Sequence, residues 1–210
     1  MSTVIATRKV DLQFTKSTQY FFFLTLMMIV ALVASVITAR KLVMIGPLTF
    51  PCCNIIFSLL TFPITDIISE VWGKQYAKIA VYGSFFGQAL FVLLVQGSIY
   101  LPYAPSWESQ DTYQEILGAG PQVLLASMVA FIISQIWDVI IYAKLKRLCK
   151  GKYLWLRNNL STMSSQIINS LLFINIAFYG SGSVMQLFLG SIALKCIIAM
   201  VDTPLVYLGV

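Results

Sequence analysis

The sequence predicts an all-α membrane protein, one bundle of six transmembrane helices whose second span is interrupted by proline. Three observations carry this. The chain has 210 residues, of which 59% are hydrophobic and only 10% charged, whereas a soluble domain carries about 25% charged residues. Its apolar residues fall in continuous runs close to the roughly 20 residues a helix needs to cross a bilayer, without the alternation of a closed barrel. Its basic residues gather between those runs. A mean hydropathy of +0.84 leaves too little polar surface to coat a water-soluble fold. The length suits a single transmembrane transporter domain over residues 1–210.

The first run, Tyr20–Ile37, follows Arg8, Lys9 and Lys16 in the manner of a signal peptide. It is nearly of spanning length and leads into Ala39-Arg40-Lys41 rather than a small-residue cleavage site, so it reads as a retained first helix. Ala31, Ser35 and Ala39 form a stripe of small side chains on it. Such stripes let helices approach closely, within the bundle or with a second copy in a homo-oligomer. The second run, Cys52–Trp72, is preceded by Gly46-Pro47 and Pro51 and contains Pro63. Proline removes a helix hydrogen bond and crowds the preceding turn. Bent helices at membrane depth line a cavity or serve packing alone. Ile79–Leu101 and Val123–Ala143 are joined by a loop that carries Glu108, Asp111 and Glu115 and no base. Thr162–Tyr179 and Val184–Gly209 complete the set.

Orientation follows from the positive-inside rule. With the amino terminus inside, the inner segments hold Arg8, Lys9, Lys16, Lys74, Lys78, Lys144, Lys146, Arg147, Lys150, Lys152 and Arg157. The outer segments hold only Arg40 and Lys41. Both termini are therefore expected in the cytoplasm. The net charge of +6 belongs to topology and not to nucleic-acid binding.

Asp66, Glu70, Asp138 and Asp202 lie inside otherwise apolar spans. An acid at the bilayer centre costs about 2.5–3.5 kcal/mol on insertion scales. Intramembrane acids usually face a cavity or each other and mark a solute or proton pathway. A transporter is the leading reading. Asp66 and Glu70 are four apart and share a helical face; carboxylates that close can share a proton, while Glu70 alone could pair with Lys74. Ser134-Gln135-Ile136-Trp137-Asp138 in span four is echoed by Ser165-Gln166-Ile167-Ile168-Asn169 in span five. Gln and Asp or Asn three apart lie on one face, where the amide can donate and the carboxylate accept along the edge of a planar heterocycle. The alternative is a polar contact that holds helices together. Lys195, seven before Asp202 on the sixth span, can neutralise one of the acids. Asn54, Phe50, Phe62, Trp72 and Trp137 complete the candidate substrate-binding set, the aromatic rings as flat walls.

Several chemistries are excluded or disfavoured. The chain has no histidine, hence no imidazole base or histidine metal ligand. Cys52, Cys53, Cys149 and Cys196 show no C-x-x-C spacing and read as small apolar core residues. No phosphate-cradling glycine loop with its lysine is present. No catalytic residues, metal or cofactor are expected.

The combination of Pro47-Leu48-Thr49-Phe50-Pro51 with Phe62-Pro63-Ile64-Thr65-Asp66-Ile67-Ile68-Ser69-Glu70-Val71-Trp72-Gly73-Lys74 resembles the queuosine precursor transporter family, grouped with vitamin uptake transporters. Later stretches follow in order: Ser134-Gln135 with Asp138, Trp155-Leu156-Arg157-Asn158, Ser161-Thr162, Ser165-Gln166, Ala177-Phe178, Lys195, Thr203-Pro204 and Tyr207. The resemblance implies a six-helix bacterial inner-membrane importer of 7-deazaguanine bases, the cyano or aminomethyl precursor or the salvaged base queuine, for tRNA queuosine. The family commonly has aspartate where this chain has Asn169. Transport of another vitamin or nucleobase is the nearest alternative, and a substrate-binding subunit of a larger ATP-driven complex is another.

Overall fold

The computed structural model describes residues 16–118, 121–179 and 184–209, and at 121, 200–205 and 208–209 the backbone alone. The elements are α1 (Lys16–Thr38), β1 (Leu42–Ile45), β2 (Leu48–Pro51), α2 (Cys53–Ile56), α3 (Phe62–Val71), α4 (Lys74–Tyr100), α5 (Gln110–Leu117), α6 (Pro121–Leu148), α7 (Leu154–Ala177) and α8 (Val184–Gly209). Among the described residues four stretches are long and apolar enough to cross a bilayer: Lys16–Thr38, Cys53–Val71, Lys74–Tyr100 and one within Gln110–Leu148; Val184–Ala199 adds a shorter apolar helix. The chain is a multi-pass, almost wholly helical membrane protein.

α7 is too polar to stand out by composition. Arg157, Asn158, Ser161, Thr162, Ser165, Gln166, Asn169 and Ser170 are all buried on it, and their three- and four-residue spacing places them on one stripe. α6 and α8 flank that stripe, and the α6–α7 pairing is the most extensive among the described residues. The helix therefore starts at Leu154, earlier than the apolar run from Thr162 suggests. Its first turns are polar because they face other helices and not lipid.

The path from Cys53 to Val71 continues through Pro63. The turn Phe57–Thr61 between α2 and α3 is π-helical, and Pro63 falls in the first turn of α3. A wider turn relieves the clash between the proline ring and the preceding carbonyl.

Two elements lie outside the expected set. β1 and β2 form an antiparallel hairpin that pairs Leu42 with Pro51 and Ile45 with Leu48. Gly46 turns the chain at φ +58, a left-handed conformation that glycine adopts without steric cost. β2 packs on α8 and buries Phe50 completely. α5 follows in the long loop after α4. Arg40 donates to the carbonyls of Glu115 (2.6 Å) and Gly118 (3.0 Å), a cation placed on the carboxy-terminal end of that helix. The small stripe Ala31, Ser35 and Ala39 is buried within the chain.

The apolar core divides by depth. Met28, Leu32, Phe57, Phe62, Ile68, Val81 and Phe131 belong to one cluster. Ala39, Cys53, Ala126, Ala130, Phe173, Ile174 and Leu187 form another nearer the hairpin. The polar groups described next sit among these walls.

Candidate functional site: a buried polar centre

Asp66 and Asp138 are fully buried. Each is held by a hydroxyl of the α7 stripe. Thr162 donates to Asp66 Oδ2 at 2.9 Å, and Ser165 donates to Asp138 Oδ1 at 3.0 Å. Thr162 and Ser165 are three apart on α7, so the acids of α3 and α6 meet the same stripe of that helix. Asp66 thus shares the α7 stripe with an acid of α6.

Gln135, one turn before Asp138 on α6, is also fully buried. Its Oε1 lies 2.9 Å from Thr65 Oγ1, which is itself 2.8 Å from the Thr61 carbonyl. One hydroxyl proton serves both acceptors, so the amide is lightly held. Among the described residues, Gln135 Nε2 and Asp138 Oδ2 are buried without a hydrogen-bond partner. A donor and an acceptor therefore stand open, three residues apart on one face of α6.

The echoed pair on α7 is used differently. Gln166 Oε1 faces Ser58 Oγ at 3.5 Å. Asn169 has both amide atoms engaged: Nδ2 donates to Ser134 Oγ at 3.1 Å, and Oδ1 accepts from Lys195 Nζ at 2.7 Å. Lys195 is buried, with its amine 5.7 Å over the Phe57 ring. Ser134, Asn169 and Lys195 make a hydrogen-bonded tier across α6, α7 and α8. Asn54 donates to Ser191 at 2.8 Å and joins α2 to α8.

Glu70, one turn beyond Asp66, belongs to an ion-pair cluster. Its carboxylate contacts Arg157 at 2.7 Å and Lys146 at 3.0 Å, and Tyr142 donates to it at 2.9 Å. Lys146 also reaches the Glu70 carbonyl at 2.9 Å. These partners come from α6 and α7; the ion pairs of the described residues do not include Lys74. Arg157 is only 2% exposed, so Glu70 neutralises a cation that would otherwise be buried and uncompensated.

The aromatic candidates separate. Phe62 is buried and meets Phe57 edge to face at 5.4 Å. Phe50 is buried at the hairpin. Trp72 packs on Phe21 and donates to Ser17 at 3.0 Å, away from the acids. Trp137 is 43% exposed and donates to Ser164 at 3.2 Å, on the outer side of α6. The side chain of Asp202 lies outside the described residues. Residues the sequence reading did not single out are Phe57, Tyr142, Gln88 and Ser127. Gln88 carried a usable signal, an amide in the middle of an otherwise apolar span.

Chemically, the centre gathers two acids, an unpaired amide N–H and several hydroxyls in a layer withdrawn from solvent, with the Lys195 amine held beside it by Asn169. No solved structure matches the chain. It is 30% identical over 171 residues to a Bacillus subtilis (strain 168) protein named "Probable queuosine precursor transporter", covering 80% of this chain and 74% of that protein. Residues 51–209 match the family described as "Putative vitamin uptake transporter". The chain belongs to this vitamin uptake transporter family.

Proposed function

We propose that this chain carries a queuosine precursor, a 7-deazaguanine base, into the bacterial cell across the cytoplasmic membrane. In this reading its six crossings place both termini inside, and the helix bent at Pro63 lines the route. The name of the Bacillus subtilis relative supports the substrate class. The open pair on α6 is the observation that carries it. A guanine-like edge presents a carbonyl beside a ring N–H and an exocyclic amine. Gln135 Nε2 suits the carbonyl, and Asp138 Oδ2 suits the N–H groups. Adenine reverses donor and acceptor along that edge, so a site with these groups committed rejects it strongly.

Asp66 supports Asp138 across the helix interface. Lys195 supplies the compensating cation, Gln166 and Phe62 stand beside the acids, and Asn169 and Asn54 border the approach to them. Glu70 acts through the Arg157 cluster at the inner end.

Asp138→Asn removes the acceptor while keeping the volume. A truncated partner of a charge-assisted contact costs about 2–5 kcal/mol, or roughly 30-fold or more in affinity. The expected result is loss of 7-deazaguanine uptake in proteoliposomes containing this chain alone, with unchanged membrane insertion. Normal uptake by the variant removes Asp138 from recognition. Absence of uptake by the unaltered chain removes the reading itself.

A further inference from the structure

A space lies on the hairpin side of the Ser134–Asn169–Lys195 tier. It is bounded by α1, α2, α4, α6 and α7 and measures about 400 Å3 between the surrounding atoms, its mouth included. Its fully free interior has room for only about three water-sized spheres, so an occupant must part the walls. Phe57, Phe131 and Phe173 supply those walls; Phe57 and Phe131 stand edge to face at 6.1 Å. Edge-to-face rings can separate and receive a flat π-system between them.

Gln88 supplies the polar group. It lines the space from α4 and is 2% exposed. Its Nε2 donates to Ser127 at 3.0 Å, which fixes the amide. Its Oε1 is buried with no hydrogen-bond partner among the described residues. A buried carbonyl left without a donor is costly, and one on a residue that lines a cavity can be satisfied by an N–H from an occupant. The lining includes no Lys, Arg, Asp or Glu, so a charged ligand would lose its hydration there without compensation. Asn169 lines the same space, and its bonds to Ser134 and Lys195 form the tier that separates it from Gln135 and Asp138.

We infer that this space is a separate binding station for a neutral planar heterocycle, in which Gln88 Oε1 accepts a ring N–H and the three phenylalanines take the faces. It rests on the transport reading for its place on the route: the base is held here by a neutral acceptor before it reaches the carboxylates. The Ser134–Asn169–Lys195 tier must open between the two.

Equilibrium dialysis with radiolabelled 7-cyano-7-deazaguanine tests it on the purified full chain, on Asp138→Asn, on Gln88→Met and on the double variant, each shown to be folded by thermal unfolding. Asp138→Asn is expected to retain weakened binding. Adding Gln88→Met should weaken that remainder at least tenfold. A base methylated at the ring nitrogen should bind Asp138→Asn and the double variant equally. Loss of all binding in Asp138→Asn, no further loss in the double variant, or the same loss for the methylated base overturns the station. Uptake is a distinct readout. Gln88-dependent binding without uptake by the unaltered chain upholds the station and rejects transport.

Discussion

Asn169 is where a neutral side chain spans three helices, giving a hydrogen bond to Ser134 on α6 and taking one from Lys195 on α8. The resemblance leads one to expect aspartate there. The bond from the Lys195 ammonium to an amide carbonyl is already charge-assisted; a carboxylate would turn it into an ion pair, whose added attraction exceeds the cost of burying the new charge where further hydrogen bonds hold it, by about 1 kcal/mol. The lost donor to Ser134 is replaceable, because a serine hydroxyl can turn and donate. Asn169→Asp should therefore stabilise the fold by about 1 kcal/mol, equivalent to about 2–4 °C in a chain of this size. Thermal unfolding in detergent measures it, and an unchanged or lower midpoint would show that the tier is not held by this contact. Asn169→Leu, which strands the amine, should lower the midpoint sharply. Glu70 shows why local spacing misleads at this scale. Lys74 one turn on is its obvious partner in sequence, yet Arg157 and Lys146 hold it. Both come from helices far along the chain, and no periodicity in the second span reports them.

The elements divide by how each is stabilised. The apolar spans were legible because lipid-facing helices need apolar residues around most of their circumference. The stripe of α7 blurred its own inner end: Asn158, Ser161 and Thr162 are buried against helices, and hydropathy cannot distinguish that from exposure to water. The hairpin was hidden for another reason. Leu42–Ile45 and Leu48–Pro51 are too short and too uniformly apolar to show alternation, so Gly46-Pro47 read as a lead-in to a helix and not as a turn. Asp66, Gln135, Asp138, Gln166, Asn169 and Lys195 stand out in the sequence as polar groups in apolar surroundings, and all are buried; Glu70 belongs instead to the ion-pair cluster, and the Asp202 side chain lies outside the described residues. The individual partners of these groups were not legible. The hairpin's docking gives a sharp test. A Cβ at Gly190 of α8 would lie 2.3 Å from the Thr49 carbonyl oxygen of β2, a backbone atom that cannot turn aside. Overpacking of this kind costs about 1–3 kcal/mol. Gly190→Ala should lower the thermal midpoint by several degrees, while Gly97→Ala, which meets nothing within 4 Å, should leave it level or slightly raised. Equal midpoints for the two variants would mean that β2 does not rest on α8.

At the scale of the whole molecule, charge and polar depth describe one vertical arrangement. The Arg157–Glu70–Lys146 cluster lies where α3, α6 and α7 converge, at the end of the bundle richest in Lys and Arg, which on the proposed orientation faces the cytoplasm. The hairpin and α5 lie at the opposite end, where Arg40 is spent on a helix terminus. On this orientation the Gln88 space lies toward the outside, the tier below it, the Asp66–Asp138 pair deeper, and the ion-pair cluster closes the inner face. A solute arriving from outside meets neutral groups before charged ones. The order depends on topology, which the native cysteines make measurable. Cys149 sits in the connection between α6 and α7 and is partly exposed. With Cys52, Cys53 and Cys196 replaced by serine or alanine and Glu108→Cys added, a membrane-impermeant maleimide applied to intact cells should label the residue-108 position and spare Cys149 until the membrane is permeabilised. Labelling of Cys149 from outside, with position 108 protected, would invert the bundle. The ion-pair cluster would then close the outer face, and the Gln88 space would become the last station before release into the cytoplasm, no longer the first to receive the base.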